Sequence, residues 1–346
     1  MDESCDPVSI GSDQFSMLLW CDDLVTFSKS ATGLQNSINK IEHHFSELGL
    51  TVNKSKTKVV IFNSRGLSLS DHPNHNFFVG DHKLSVVSEY QYLGLKVKSS
   101  GTFTIAADEL YTKATRAYFS ISNILYSHKK WPIERALGMF DTLVSPVALY
   151  ACELWAPLVL PKKCFRDLNS LLSGWETFQP ELLNQKVCRL LLSVHKKSSR
   201  LAVLGELGRY PLIIRAMAHT LKYEWHLNNK VSPASLASLA LEEMKLMNSR
   251  NIDCWYTMKT LFSLNNVSGR HTADRVGKRS NASLKSKFSM FWKTEISRQK
   301  LDSNGVNRNK LRFYQTLKSS FKIEPVSYTH LRAHETSLHL VCRLLL

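Results

Sequence analysis

Two adjacent aspartates, Asp22 and Asp23, lie between the apolar runs Phe15–Trp20 and Leu24–Phe27. Apolar runs bounded by turn-favouring residues predict two buried strands joined by a tight turn. Such a hairpin pushes both carboxylates out of the sheet at one point. Hard divalent cations take oxygen ligands of this kind, and Mg2+ keeps room for substrate phosphates. Two such ions can stabilise the attacking and leaving oxygens of an in-line phosphoryl transfer. The plainer reading is a turn in which aspartate is only a favoured turn residue. The dipeptide alone does not separate the two.

The elements that must position this turn follow it in order. Thr32 and Gln35 fit a capping box at the start of a helix, and Gly49 sits at its stop. Leu34, Ile38, Ile41, Phe45 and Leu48 recur at helical spacing and give one apolar face. Thr57–Phe62 is a β-branched strand, and Phe77–Val87 reads as a hairpin around Gly80-Asp81. Tyr90–Val97 continues the sheet. From about Phe103 the pattern is helical, with Leu110, Ala114, Ala117, Ile121 and Ile124 on one face. Pro132 opens a further helix and Pro146 should end or kink it. More helices are expected over Glu181–Val194, Pro211–Leu227, Ser235–Met247 and Leu284–Lys300.

Composition narrows the partners. The 346 residues are 43% hydrophobic, enough for real cores and unlike a disordered tail. A net charge of +16 favours a polyanion, and nucleic acid ahead of a membrane surface. Arg270–Lys322 holds 14 Lys and Arg against Asp274, Glu295 and Asp302, interleaved with Phe288, Phe291, Trp292, Phe313 and Tyr314. That mixture fits a surface that grips a backbone and stacks on bases. It fits equally an amphipathic helix with solvated lysines and a core-facing aromatic stripe. The seven cysteines show no C-x-x-C pair and are odd in number, which suits a reduced, intracellular compartment, nucleus or cytoplasm. No secretion signal is read at residues 1–14, so Asn266-Val-Ser and Asn281-Ala-Ser carry no weight as glycosylation sites. Val147–Leu160 is too short to span a bilayer and is interrupted by Glu153 and Pro157.

Leu18-Leu19-Trp20-Cys21-Asp22-Asp23-Leu24-Val25 resembles the Tyr-Ala-Asp-Asp box of reverse transcriptases, the third motif of the polymerase palm. Gly49-Leu-Thr-Val-Asn53-Lys-Ser-Lys56-Thr57-Lys58 looks like the fourth motif as it occurs in non-LTR retrotransposon enzymes. Tyr92-Leu93-Gly94 resembles the primer-grip hairpin that follows. The resemblance is strongest over residues 12–97. It continues more weakly to Leu204-Gly-Glu-Leu-Gly-Arg-Tyr-Pro211.

The resemblance implies an α+β fold: the C-terminal half of a palm, an antiparallel sheet with a packed helix, then a helical thumb and a helical extension. The expected divisions are 1–98 palm, 99–178 thumb and 179–325 basic extension. It implies an RNA-directed DNA polymerase with Asp22 and Asp23 as ligands of Mg2+ or Mn2+. Lys56 would be the acid for the pyrophosphate leaving group, with a surface lysine as the alternative. Tyr92, Leu93 and Gly94 would position the primer, with a bulge or close backbone approach as the alternative reading of Gly94. RNA template, DNA primer and deoxynucleoside triphosphates are the implied partners, with no membrane. Asn53 is read as ordering the turn before the strand. Trp20 and Cys21 depart from the family's Tyr and Ala; Trp20 keeps a large apolar wall, and Cys21 reads as a small, buried-type replacement. A first-motif aspartate and the template-binding motif do not fit into the residues before Asp22. The chain alone is therefore expected not to polymerise, as a piece of a longer enzyme or as an inactive relic that only binds nucleic acid. In the tail, Val326–Leu346, the run Ser327–Thr336 resembles translated sequencing-adapter read-through. No chemistry is assigned there to His330, His334 or His339.

Overall fold

A computed structural model describes residues 3–11, 13–62, 76–127, 132–160, 164, 167–246, 273–298, 311, 314 and 318–323. The chain divides into two compact units, Met1–Ile105 with Lys230–Ser249, and Ala106–Asn229 with Arg250–Leu346. The first holds all the described strands. The expectations for Phe313, Asn266 and the 326–346 tail lie outside the described residues.

In the first unit, β1 (Val8–Ile10) pairs with β2 (Asp13–Phe15), and β3 (Met17–Trp20) pairs with β4 (Asp23–Thr26), both antiparallel. Helix α1 (Ala31–Glu47) follows. Its cap is Ser30, whose side chain accepts from Gly33 N–H at 3.1 Å, and not the expected Thr32. Gln35 has a different task. Its amide accepts from Phe78 N–H at 2.9 Å and donates to Phe78 C=O at 2.9 Å, so it pairs with a strand edge instead of closing a capping box. At the other end Gly49 takes φ +70°, Gly49 N–H bonds Ser46 C=O and Leu50 N–H bonds Phe45 C=O. This is the Schellman stop that a glycine permits.

The next strands are short. β5 (Lys58–Val59) lies parallel to β8 (Ser85–Val86), β6 (Phe78–Val79) turns into β7 (His82–Lys83) at Gly80-Asp81, and β9 (Glu89–Tyr92) pairs with β10 (Leu95–Lys98). The expected single antiparallel sheet is thus replaced, among the described residues, by five two-stranded ladders, one of them parallel. The Thr57–Phe62 strand shrinks because its partner offers only Ser85, Val86 and one more bond, Val87 N–H to Val59 C=O at 2.9 Å. Ile38, Val59, Phe77, Val79 and Leu84 form the small core, with Leu34, Val52 and Ile61 against it. The α1 face is buried at Ile38 and half-buried at Leu34, Ile41 and Phe45, but Leu48 is exposed. Helix α1 approaches the segment before β1 so closely at Gly33 that an added Cβ would lie 2.5 Å from Ser28 Oγ and 2.7 Å from Cys5 C=O.

The second unit is helical. α2 (Thr104–Ser127) buries Leu110, Ala114 and Ile121 as the spacing predicts, and also Tyr118. α3 (Ile133–Met139) begins after Pro132 and runs through a π-helical turn, Phe140–Val144, into α4 (Ser145–Ala148). Ser145 N–H reaches back five residues to Phe140 C=O, just before Pro146, which has no N–H to offer. Then come α5 (Cys152–Val159), α6 (Leu168–Ser173), α7 (Gln179–Leu191), α8 (Arg200–Glu206), α9 (Leu212–Asn229) and α11 (Ala273–Ser297); α10 (Leu236–Leu246) belongs to the first unit. α9 packs against both α5 and α11. No single helix among the described residues is long and apolar enough to cross a membrane. The bent pair Ile133–Ala148 and Cys152–Val159 passes by length and composition, yet Phe140, Val144, Ala148 and Trp155 are buried within the unit.

Candidate functional site

Trp20 pairs with Asp23, so the β3–β4 turn has two central residues, Cys21 and Asp22, and Asp23 is already in the strand. Cys21 takes φ +52° and Asp22 does not share that sign. Positive φ at the first central position alone is the pattern of a type II′ turn, which suits the strand twist and favours glycine there. A side chain at that position stores local strain. Both aspartates are exposed, and among the described residues neither carboxylate has a hydrogen-bond or ion-pair partner. Two adjacent carboxylates with free oxygens on a pinned turn suit a hard divalent cation.

The hairpin is anchored at its base. Phe27 N–H donates to Ser16 C=O at 2.6 Å, Thr26 Oγ1 to the same oxygen at 2.9 Å, and the Phe15 and Phe27 rings meet edge-on at 5.5 Å. Ser28 Oγ donates to Cys5 C=O at 2.9 Å, fixing the step into α1. The two strands are not the buried pair expected: Met17, Leu19 and Trp20 are 50%, 65% and 65% exposed. Cys21 is exposed as well, so it is no buried replacement for alanine.

Lys56 lies in an exposed turn built by Asn53, as the asparagine suggested. Asn53 Oδ1 accepts from Lys56 N–H at 3.1 Å and from Ser55 Oγ at 2.9 Å, and Asn53 C=O accepts from Thr57 N–H at 3.0 Å. Lys54 Nζ stands 4.0 Å from Glu42 Oε1, while Glu42 Oε2 accepts from Gly80 N–H at 2.7 Å. This turn is thereby tied to α1 and to the β6–β7 hairpin. Leu93 and Gly94 are the central pair of the β9–β10 turn, with φ +46° and +82°. Positive φ at both positions is the type I′ pattern, so Gly94 answers to the turn and not to a bulge. Tyr92 is half-buried. A residue that sequence reasoning passed over, Tyr90, links the two segments: its hydroxyl donates to Lys56 C=O at 3.5 Å. Among the described residues, no hydrogen bond or ion pair joins Asp22 or Asp23 to Lys56 or to the β9–β10 turn.

The basic stretch resolves into two faces. On α11, Phe288 and Trp292 are fully buried, and Tyr314 is buried beside Trp292 at a ring distance of 6.3 Å. Trp292 Nε1 donates to Leu201 C=O at 2.8 Å. These rings are core and do not stack on bases. Arg275, Lys278, Arg279, Lys293 and Arg298 are exposed. The amphipathic reading holds for these three aromatics, and these five cations lie at the surface, whereas Lys318 is buried.

Leu204–Pro211 is a packing junction. A Cβ on Gly205 would lie 2.5 Å from the Trp292 ring, and Gly208 turns at φ +53° against the Lys322 backbone. Glu206 Oε1 accepts from Tyr314 Oη at 2.7 Å. Arg209 grips Asp141 with two bonds, 2.7 and 2.8 Å, and donates through Nε to Asn184 Oδ1 at 3.0 Å. Burial pushes the Asp141 carboxyl up, but its bonds to Arg209 and the charges of Arg209 and Arg215 outweigh this and hold it below its ordinary value. Glu181, fully buried, accepts from Asn184 Nδ2 at 2.9 Å and Leu212 N–H at 2.7 Å. Burial pushes its carboxyl up to about 7.

Residues 1–97 match the family model for reverse transcriptase (RNA-dependent DNA polymerase). No curated protein and no solved structure matches the chain. The matched segment contains the aspartate turn, the Asn53–Lys58 loop and the Tyr92–Gly94 turn. It supports reverse transcriptase as the family of this segment. It ends within β10, ahead of α2.

Proposed function

We propose that the chain is part of an RNA-directed DNA polymerase of a non-LTR retrotransposon, acting on an RNA template, a DNA primer and deoxynucleoside triphosphates inside the cell, in nucleus or cytoplasm. One observation carries this reading: Asp22 and Asp23 stand exposed and unpartnered on a type II′ turn, inside the segment that matches the reverse-transcriptase family. Residues 1–98 are then the later part of a palm, 99–178 a thumb, and 179–325 a basic extension. Mg2+ or Mn2+ bound there would supply positive charge to the attacking and leaving oxygens of nucleotidyl transfer. Asp22 and Asp23 hold that charge at the hairpin tip. Lys56 gives a proton to departing pyrophosphate, and the Tyr92–Gly94 turn steadies the primer end. The exposed cations of α11 hold phosphates without reading sequence.

Two carboxylates do not make the full ligand set that the resemblance implies, so we infer that the chain assayed by itself extends no primer. Two experiments test the proposal. The full chain should bind a primer–template duplex with an affinity that falls steeply with salt; a flat response removes the phosphate-binding reading. Residues 12–97 grafted behind a complete first-motif and fingers region should restore Mg2+-dependent synthesis, and Asp22→Asn should abolish it. Binding without restored synthesis would favour the inactive relic. Undiminished synthesis by Asp22→Asn would sink the metal-ligand role.

A further inference from the structure

A second cluster of metal-ligating side chains lies in the helical unit, and the polymerase reading leaves it without a role. Cys152 and Glu153 open α5, and His219 lies on α9, which packs against it. Cys152 Sγ is 3.8 Å from His219 Nδ1 and 3.9 Å from Glu153 Oε2, and the three ligand atoms lie within 4.8 Å of one another. Ligand bonds of roughly 2.0–2.3 Å to a tetrahedral centre place ligand atoms roughly 3.3–3.8 Å apart. Two of the three edges therefore already approach the size such an ion needs.

The donor set selects the ion. A thiol, an imidazole and a carboxylate suit a borderline-soft transition metal, whereas the all-oxygen Asp22–Asp23 turn suits a hard one. Cys152 is fully buried, Glu153 is half-buried and His219 is exposed, so the cluster has a protein wall on one side and an entry from solvent on the other. We propose that Cys152, Glu153 and His219 form a Zn2+ site, with a fourth position left to water. Sulfur joins the ion as thiolate, its proton passing to solvent, and His219 binds through the Nδ1 lone pair with its proton on Nε2. Thiolate, carboxylate and neutral imidazole then balance the two positive charges of the ion. Arg215 and Lys222, whose charges act on His219, oppose a cation, but Arg215 is itself paired with Asp141 at 3.3 Å. With no ion bound, burial pushes the Cys152 thiol up and His219 down, so the same contact is a neutral one. The site ties α5 to α9 through a bond stronger than packing alone.

The test uses the full chain freed of metal by chelation, with Co2+ as the probe and Zn2+ as competitor. One equivalent of Co2+ should produce a thiolate-to-cobalt absorption band, Zn2+ should erase it, and Zn2+ should raise the thermal midpoint. His219→Ala and Glu153→Gln should weaken binding at least about tenfold, and Cys152→Ala should remove the band. Because Cys152 is core, the exposed His219 supplies the variant least exposed to misfolding. Cys21→Ser, at the exposed thiol of the β3–β4 turn, should change nothing. Absence of a thiolate band at one equivalent, its survival in His219→Ala at unchanged affinity, or its loss in Cys21→Ser would overturn the site. None of these outcomes bears on DNA synthesis, so failure here and failure of the polymerase reading are separable.

Discussion

Raising the pH from about 4.5 to 8 should loosen the helical unit through Glu181. Burial is the main cause of its raised carboxyl, from an ordinary 4.5 to about 7, against the pull of Asn184, Leu212 N–H and Arg209. In the unfolded chain the proton leaves near the ordinary value; in the folded chain it stays until about 7. The folded state therefore binds more protons across that window, and stability falls as pH rises through it. At about 1.4 kcal/mol per pH unit, the loss traceable to this one group is about 3 kcal/mol. Asp141 acts in the opposite sense: its lowered carboxyl contributes stability above an ordinary 3.8 that is lost as pH falls further, below the Glu181 window. The assay is urea unfolding followed by tryptophan fluorescence, in steps from pH 4.5 to 8, for the native chain and Glu181→Gln. The glutamine keeps the size and cannot ionise, so its curve should lack this decline. Histidines and the net charge contribute alike to both chains, and the difference between them should change by about 3 kcal/mol. Parallel curves across the window would refute the argument that Glu181 is protonated in the fold.

Three further outcomes are expected. Cys21→Gly should stabilise the β3–β4 hairpin by about 0.5–1 kcal/mol, because glycine takes φ +52° without strain; denaturant midpoints that do not rise would show that the turn is unstrained. Gln35→Ala should cost the first unit about 1–3 kcal/mol by stripping both Phe78 bonds, and faster hydrogen exchange at the Phe78 amide would report it. Trp292→Ala should cost about 3–5 kcal/mol, with Leu201 C=O left without its donor, whereas Lys293→Ala should leave stability within about 0.5 kcal/mol and shallow the salt dependence of duplex binding. An equal loss of stability in both variants would contradict the two-faced reading of α11.

The aspartate hairpin was legible because apolar runs flank a turn, and the Gly80-Asp81 turn because turn chemistry is local; Tyr90–Val97 was read as unbroken sheet, and the Leu93-Gly94 turn that splits it was indicated only by the resemblance. The stop of α1 was legible for the same reason: Gly49 alone permits it. Its start was misread, since Ser30 and Thr32 both suit a cap and only the approach of residues 5 and 6 to Gly33 decides between them. Strand length escaped the sequence, because a β-branched run cannot show how short its partner is. The aromatic stripe of α11 was ambiguous until Leu201, Gly205 and Tyr314 supplied the core on its far side. Arg209–Asp141 and Cys152–His219 join residues 68 and 67 apart, beyond any pattern along the chain. Helices α5, α6 and α8 were missed because 6 to 8 residues are too few for periodicity to speak.

Gln35 does more than fasten a helix to a hairpin. The outward N–H and C=O of Phe78 are the kind of unpaired edge on which a second chain can add a strand, and so begin an aggregate. The glutamine amide presents one acceptor and one donor at the right spacing, and so occupies that edge in place of a foreign backbone. A single side chain thus serves as a sentinel against self-association in a unit whose described ladders have two strands each.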